Sequence, residues 1–350
     1  FYGVIAGWIF GYIFKTIAGG LNNISSPEEA EQLYKSFCGN PVNSIGLFFI
    51  FIFMTSYVIY KGVKGGIEKW SKILMPALLI LLFLLIIRSV TLPGAFKGLE
   101  YYLVPDFSKV EFKTILVALG QAFFSLSLGM GTMLTYGSYI AKKDNIVSSA
   151  FYVCVFDTGI AVVAGFIFFP ALFAMGMAPD QGPALIFHVL PSILSQIPGG
   201  QIFGIGLFVL ISIAALTSTV SLLEVPVAYV VDEKGWSRLK AVLIMGGAAF
   251  IIGIPSALSA GAVSFLEVLP GLGEDFLDVM STIFGQFSLS IGSLFIALFV
   301  GWKWGIKNAI NEIEQERVIF RIKSFWSLFI KYVCPIAISI IFIKLIVDLF

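Results

Sequence analysis

The chain has 350 residues, of which 58% are hydrophobic and only 12% are charged, and its mean hydropathy is +0.97. A composition this apolar excludes a water-soluble globular protein and indicates a polytopic membrane protein. The net charge of +1 argues against a nucleic-acid partner, because such proteins carry a clear basic excess.

Nine apolar segments are expected to cross the bilayer, since a spanning helix needs about 20 apolar residues. In chain order they cover residues 1–19, 42–60, 73–92, 113–140, 147–176, 203–230, 239–255, 276–302 and 324–349. Lysine and arginine are concentrated in the loops after the second, fourth, sixth and eighth segments, and the positive-inside rule places these loops in the cytoplasm. The loop 21–41 is then extracellular, and the charged stretch 307–323 is expected to form a solvated cytoplasmic helix.

The fourth segment carries an unusual centre, GQAFFSLSLGMG, in which Ser125, Ser127, Gly129 and Gly131 replace the usual large apolar residues. Glycine destabilises a helix by about 1 kcal/mol relative to alanine. A helix broken at this depth is tolerated where it lines a cavity, and its freed carbonyls can then bind cations. The alternative is close packing of small residues between two intact helices.

The fifth and sixth segments carry polar residues that point to an ion site. Asp157 lies within the fifth segment and is expected at the depth of Ser125, and the sixth segment carries four hydroxyls between Thr217 and Ser221. Ionisable groups inside a membrane are costly and mark functional sites, and hydroxyl and carbonyl oxygens suit hard cations. The alternative for Thr217 and Ser218 is hydrogen bonding to carbonyls of the preceding turn.

Other polar residues are interpreted as structural. Glu224 is expected to be a buried acid that bonds to neighbouring backbone or to a lysine on the cytoplasmic side. Cys38, Cys154 and Cys334 are too scattered for a disulfide framework or a metal site. The sequence also lacks the nucleophile–base, metal-ligand and cofactor-binding sets that catalysis requires, so an enzyme is not expected.

Several separated stretches resemble the neurotransmitter:sodium symporter family, and the end VGWKWG of the eighth segment looks like its bacterial members. The stretches are FYGVIAGW, similar to the third helix, GQAFFSLSLGMGTMLTYGSY, similar to the unwound sixth helix, LPSILSQIPGGQIFG, similar to the fourth extracellular loop, and AALTSTVSLLEVPVAYVVDEKGW, similar to the eighth helix. The resemblance implies an all-α transporter fold of two inverted five-helix repeats, as in the leucine transporter. The nine segments would be helices three to eleven, so the family's first two helices would be missing and the present chain would be an inactive fragment.

On that plan, residues 1–92 are the last three helices of the first repeat. Residues 113–302 are the second repeat, with the broken helix at 125–131, and residues 303–350 are a cytoplasmic linker and the final span. The implied function is sodium-coupled import of a neutral hydrophobic or aromatic amino acid by alternating access, in the plasma (inner) membrane of a prokaryote.

The resemblance also implies residue roles. The substrate contacts would be Tyr2, Phe124, Ser125, Ser127, Met130, Ser218, Ser221 and Leu222. The first of two sodium sites would use Ser125 and Asp157. The second would use the carbonyl of Ala214 with Thr217 and Ser218. The gates would use Gln121, Ser138, Tyr139, Asp232 and Asp278, with Asp275 as a competitor of Asp278 for the outer-gate acid.

One departure from the family pattern predicts a change of ion dependence. Many members carry Asn where this chain has Asp157. A fixed carboxylate can supply the negative charge that chloride supplies elsewhere, so no chloride requirement is expected, and titration of this acid could couple proton counter-movement to transport. The alternatives are another sodium- or proton-coupled transporter of the same five-helix-repeat superfamily, and a non-transporting sensor or channel on this scaffold.

Overall fold

The structure is a computed structural model that describes residues 1–22, 24, 26–142, 144–174, 176, 186–187, 190–270, 273–314 and 320–349. Throughout these ranges the regular structure is helical. The α-helices are α1 (Tyr2–Ile17), α2 (Pro27–Cys38), α3 (Pro41–Tyr60), α4 (Lys69–Val90), α5 (Ala95–Leu103), α6 (Phe112–Ser125), α7 (Thr132–Ser138), α8 (Ile146–Ala174), α9 (Leu190–Gln196), α10 (Gly200–Asp232), α11 (Arg238–Leu258), α12 (Ser264–Glu267), α13 (Phe276–Thr282), α14 (Ser288–Leu298), α15 (Ile306–Ile313), α16 (Lys323–Leu328) and α17 (Cys334–Leu349). Wider π-helical turns occupy Val63–Glu68, Ile283–Phe287, Phe299–Gly305 and Phe329–Val333.

All nine predicted segments are found as helices. Seven helical stretches are long and apolar enough to cross a membrane, and the first and fourth segments form the shorter apolar helices α1 and α6. The stretch Phe276–Ile313 continues past the predicted end at residue 302. The charged stretch 307–323 therefore begins as a direct extension of the eighth span, and its residues 315–319 lie outside the described ranges.

The extracellular loop 21–41 contains a helix, α2, that the sequence analysis missed. The side chain of Ser26 accepts a hydrogen bond from the backbone N–H of Glu29 at 3.3 Å, and Pro27 stands in the first turn. A serine cap followed by proline favours a helix start because both suit the unpaired N–H groups there. Cys38 closes this helix and is fully buried, and burial raises the pKa of its thiol.

The first of two compact units comprises Phe1–Pro105 and Ala161–Val279. Within it α1, α3 and α10 pack on one another, α11 packs on α3, and α4 packs on α10. The Trp8 indole donates a hydrogen bond to Ser44 Oγ at 2.7 Å, and Ser44 in turn donates to the carbonyl of Ala257 at 2.6 Å. This buried chain of hydrogen bonds joins α1, α3 and α11 and gives the indole N–H and the hydroxyl of Ser44 partners within the core.

The second unit comprises Asp106–Ile160 and Met280–Phe350. Helix α14 packs against α17, and α6 contacts both. Large apolar side chains on the outer faces of these helices, such as Phe295, Ile336 and Ile343, are exposed. Such faces suit contact with lipid chains, as expected for spanning helices.

The buried acid Glu224 on α10 pairs with an arginine. Its Oε2 lies 2.6 Å from Nη2 of Arg238 at the start of α11, and Arg238 Nε donates to the carbonyl of Ile59 at 2.7 Å. The Glu224 side chain is 0% exposed. The structural role expected for Glu224 fits this geometry, but the ion-pair partner is an arginine and not the expected lysine. The pair links α10, α11 and the end of α3.

Breaking this pair should destabilise the protein strongly. Arg238→Met leaves a buried carboxylate without its countercharge, which lowers the free energy of unfolding by about 3–5 kcal/mol, whereas Glu224→Leu with Arg238→Met removes both charges and should recover most of that loss. Thermal unfolding of the purified protein in detergent measures both. The control Lys72→Met breaks an exposed pair with Glu68 and should leave the melting temperature unchanged. Equal shifts for Arg238→Met and Lys72→Met would contradict the assignment.

Candidate functional site

The predicted break in the fourth span is present. Helix α6 ends at Ser125 and α7 begins at Thr132. Between them Ser127, Gly129 and Gly131 have φ angles of 53°, 84° and 81°. Glycine reaches the left-handed region without steric penalty, whereas a serine there carries a strain of about 1–2 kcal/mol. Strain of this kind persists where the surroundings hold it, and functional sites are common among such places.

Asp157 on α8 meets the end of α6 directly. Ser125 Oγ donates hydrogen bonds to both carboxylate oxygens of Asp157, at 2.7 and 2.8 Å, and both residues are half-buried. Within the described ranges no lysine or arginine lies within ion-pairing distance of this carboxylate. Among residues 124–131, all of them described, no backbone N–H donates to the carbonyl of Ser125. The result is a cluster of oxygen ligands with a negative charge and no basic partner, which suits a hard cation such as sodium.

The hydroxyl-rich segment of α10 forms a second set. The carbonyl of Ala214 accepts hydrogen bonds from Thr217 Oγ1 at 2.8 Å and from Ser218 Oγ at 3.2 Å, and Ser221 Oγ donates to the carbonyl of Thr217 at 3.0 Å. The hydroxyls thus bond back along their own helix, as the alternative interpretation expected. Because a hydroxyl donates once and accepts twice, these oxygens keep lone pairs for a cation.

Sequence reasoning missed a contact that fixes this segment. Thr219 Oγ1 lies 2.9 Å from Thr55 Oγ1 on α3, and both side chains are buried. Thr219 therefore joins α10 to α3. The sequence shows Thr219 only as a third hydroxyl between Thr217 and Ser221. That Thr55 is its partner follows only from the packing of α3 against α10.

The structure places the other predicted residues in local surroundings that differ widely. Tyr2 packs beside Leu216 against the buried cluster of Ala6, Phe51 and Ala215. The carbonyl of Phe124 already accepts the N–H of Ser127 at 3.0 Å. Ser138 Oγ donates to the carbonyl of Thr135 at 2.7 Å. Gln121, Phe124, Ser138 and Asp232 are exposed, whereas Met130, Tyr139, Ser221 and Leu222 are half-buried.

The two candidate acids for the outer gate differ in their environment. Asp275 Oδ1 accepts the backbone N–H of Asp278 at 2.8 Å and so caps the start of α13. Burial raises the pKa of the Asp275 carboxyl, and the nearby charge of Asp278 acts in the same direction. Asp278 is exposed in the first helical turn. The Asp275 carboxylate thus already caps the N-terminus of α13, and Asp278 stays the predicted acid of the outer gate.

The break rests directly on the backbone of α14. A methyl group at Gly292 would lie 2.2 Å from the carbonyl oxygen of Gly129, and one at Gly129 would lie 2.3 Å from the carbonyl oxygen of Leu289 and 2.5 Å from Ser293 Oγ. Such distances are too short for any side chain beyond hydrogen. The position of the break therefore depends on glycine at both places.

A helix broken inside the membrane, with a carboxylate at the break that has no basic partner among the described residues, is typical of an ion-coupled membrane transporter. Residues 36–349 match the sodium:neurotransmitter symporter family, and the chain belongs to this family. It follows that the protein is a sodium-dependent transporter and not an enzyme, and that it is a multi-pass protein of the prokaryotic plasma membrane.

Individual relatives agree with this assignment. The chain is 37% identical over 347 residues to YhdH, an uncharacterised sodium-dependent transporter of Bacillus subtilis. The aligned region covers 99% of this chain and 76% of the relative. It is 36% identical to an uncharacterised sodium-dependent transporter of Haemophilus influenzae, over 98% of this chain and 75% of the relative. The crystal structure of MhsT in complex with L-phenylalanine matches with a TM-score of 0.85 and 42% identity, over 99% of this chain and 77% of that one. The inverted-repeat fold predicted from the sequence is confirmed.

Filling the contact between the break and α14 should weaken sodium binding. In Gly292→Ala the added methyl group displaces the carbonyl of Gly129, and overpacking of this kind costs about 1–3 kcal/mol, which corresponds to roughly 5- to 160-fold in sodium affinity. Binding of ²²Na⁺ to the purified protein measures the change. The matched control is Gly247→Ala on α11, where nothing lies within 4 Å of the new methyl group. Equal affinities in the two folded variants would show that α14 does not position the break.

Proposed function

We propose that the protein imports a neutral hydrophobic or aromatic amino acid together with sodium by alternating access. The observation that carries this proposal is the Ser125–Asp157 contact at the helix break, because it gathers oxygen ligands around a negative charge that no described basic side chain neutralises. A charge buried in a low-dielectric environment must be paired. Sodium meets that requirement when it binds, so its arrival changes the electrostatics of the broken helix.

Two sodium ions are proposed for each transport cycle. The first would be held by Ser125 and Asp157. The second would be held by the carbonyl of Ala214 with the hydroxyls of Thr217 and Ser218, which already converge on one another within 2.8–3.2 Å. Hydroxyl, carbonyl and carboxylate oxygens suit sodium, whereas zinc and copper prefer the nitrogen and sulfur ligands that these sets lack.

Chloride independence follows from the same carboxylate. Where a family member lacks a fixed negative charge, a mobile anion can balance the bound sodium ions. Here Asp157 supplies that charge from the protein itself, half-buried and held by a hydroxyl.

The substrate assignment rests on the chemistry of the proposed contact residues. The hydroxyl of Ser127 and the carbonyls at the end of α6 are acceptors for an ammonium group, and the hydroxyl of Tyr2 is a donor for a carboxylate. The proposed side-chain contacts are Met130, Ser218, Ser221 and Leu222, and none of them carries a charge. Methionine adapts to varied apolar shapes, which favours large hydrophobic or aromatic side chains.

In a protein completed with the two helices that the family plan places before residue 1, uptake in proteoliposomes should require sodium and should continue when chloride is replaced by gluconate. Asp157→Asn should abolish accumulation of labelled phenylalanine or leucine, or make it depend on chloride, because it removes the fixed charge. The control Asp106→Asn changes an exposed carboxylate that bonds Ser108 on a loop, and uptake should be unaffected. Uptake by the unsubstituted protein that stops without chloride would contradict the role of Asp157, and sodium-independent leakage without accumulation would favour a channel.

Enlarging Met130 should change substrate preference. Met130→Phe fills volume at the proposed side-chain contacts, and a difference of one methylene in such a pocket is worth about 1–3 kcal/mol, or 10- to 200-fold in preference. Competition of unlabelled leucine and tryptophan against labelled substrate measures the shift, which should favour smaller aliphatic substrates. The control Met133→Phe enlarges an exposed methionine on α7. Unchanged competition profiles in Met130→Phe would show that this residue does not contact the substrate.

A further inference from the structure

The end of the second unit that carries the charged linker has an excess of basic residues. Residues 303–333 contain six lysines and arginines against three glutamates. One cation, Lys323, is paired with Glu314 at 3.2 Å. Lys303, Lys307 and Arg321 are exposed, and no ion pair of theirs is found in the described part of the chain. This end of the unit therefore presents positive charge that the described protein does not neutralise.

One further cation, Lys331, is held in a defined place by aromatic rings. Its Nζ lies 5.0 Å from the ring centroid of Trp302 and 5.4 Å from that of Tyr332. The two rings meet edge to face with their centroids 5.9 Å apart. Ring faces attract cations, so this pair fixes the ammonium group without neutralising its charge.

The backbone on both sides supports this arrangement. Lys331 and Trp302 belong to two π-helical turns, Phe329–Val333 and Phe299–Gly305, that pack against each other. A methyl group at Gly301 would lie 3.3 Å from Cα of Lys331, so glycine allows the turns to approach closely. The Trp302 indole donates to the carbonyl of Lys331 at 3.2 Å. Such π-helical turns are often found at functional sites.

The depth of Lys331 fits the headgroup region of one leaflet. Lys331 and Lys344 lie on the same span, about 20 Å apart along the axis at 1.5 Å per residue. The hydrocarbon core is about 30 Å thick, so both side chains extend towards opposite surfaces, as long basic side chains do. The positive-inside rule assigns the surface near Lys331 to the cytoplasm.

We propose that this end of the second unit binds an anionic phospholipid, with Lys331 and Lys303, which follows Trp302 in the chain, as contacts for its phosphate. The rings around Lys331 supply the rest of the site, because Trp302 and Tyr332 are exposed apolar surface beside its ammonium group. A free phosphate would satisfy the charges and leave these rings in contact with water. A lipid supplies both a negative headgroup and acyl chains, and thus matches both halves of the surface.

Native mass spectrometry of the full chain tests the proposal with two lipids, dioleoyl phosphatidylglycerol and dioleoyl phosphatidylcholine. The protein should bind the anionic lipid more tightly. Lys331→Gln should weaken that binding about fivefold, the effect of one basic residue at an anionic membrane surface, and leave phosphatidylcholine binding unchanged. Lys331→Arg should retain the preference because it retains the charge. If Lys331→Gln does not fold, Lys303→Gln removes one positive charge from the same proposed site and tests the proposal independently.

The matched control is Lys61→Gln. Lys61 also lies over two rings, Tyr57 at 5.3 Å and Tyr60 at 5.8 Å, but it belongs to the first unit. Its loss should leave the preference for phosphatidylglycerol intact. An equal loss in Lys61→Gln, or no loss in either Lys331→Gln or Lys303→Gln, would overturn the proposal in favour of general surface charge. Displacement of phosphatidylglycerol by millimolar glycerol 3-phosphate would also overturn it, because it would show a site for free phosphate.

Discussion

Hydrocarbon offers no hydrogen bonds, so every backbone or side-chain polar group inside the membrane must find its partner in the protein or in a ligand. The broken fourth span meets this constraint only in part. The backbone N–H groups directly after Ser125 donate hydrogen bonds to carbonyls of α6, and Ser125 Oγ donates to the carboxylate of Asp157. Among the described residues, what remains is a negative charge without a basic partner and a carbonyl without a donor. The sodium site proposed at this segment depends on that incomplete satisfaction.

A comparison of the two acids within the spans shows how the partner determines the role. Glu224 is fully buried, and the guanidinium of Arg238 neutralises it at 2.6 Å, so it acts as a permanent link between helices. Asp157 is half-buried, and its partner is the neutral hydroxyl of Ser125. A hydroxyl can orient a carboxylate but cannot neutralise it. The same chemical group is therefore structural in one span and available to an ion in the other.

Much of this organisation could be read from the sequence because it depends on local chemistry. The serines and glycines from Ser125 to Gly131 predicted the break, since their effect on a helix does not depend on a distant partner. The pairing of Thr55 with Thr219 and the contact between Gly129 and Gly292 could not be predicted, because they depend on which helices pack and in which register. Helix α2 was predictable from its serine cap and proline, and was missed because a charged loop was read as irregular.

The short length of α6 has a consequence for synthesis in the cell. With 14 residues it is below the length that inserts as an independent span, and the break that follows has to be covered by other helices. The backbone that covers it belongs to α14, which is translated on the order of 10 to 30 s later at 5–20 residues per second. During that interval α6 must be sheltered by the insertion machinery or by its earlier neighbours. The segment that carries the break is thus completed in the membrane only after α14 has been made, well after its own synthesis.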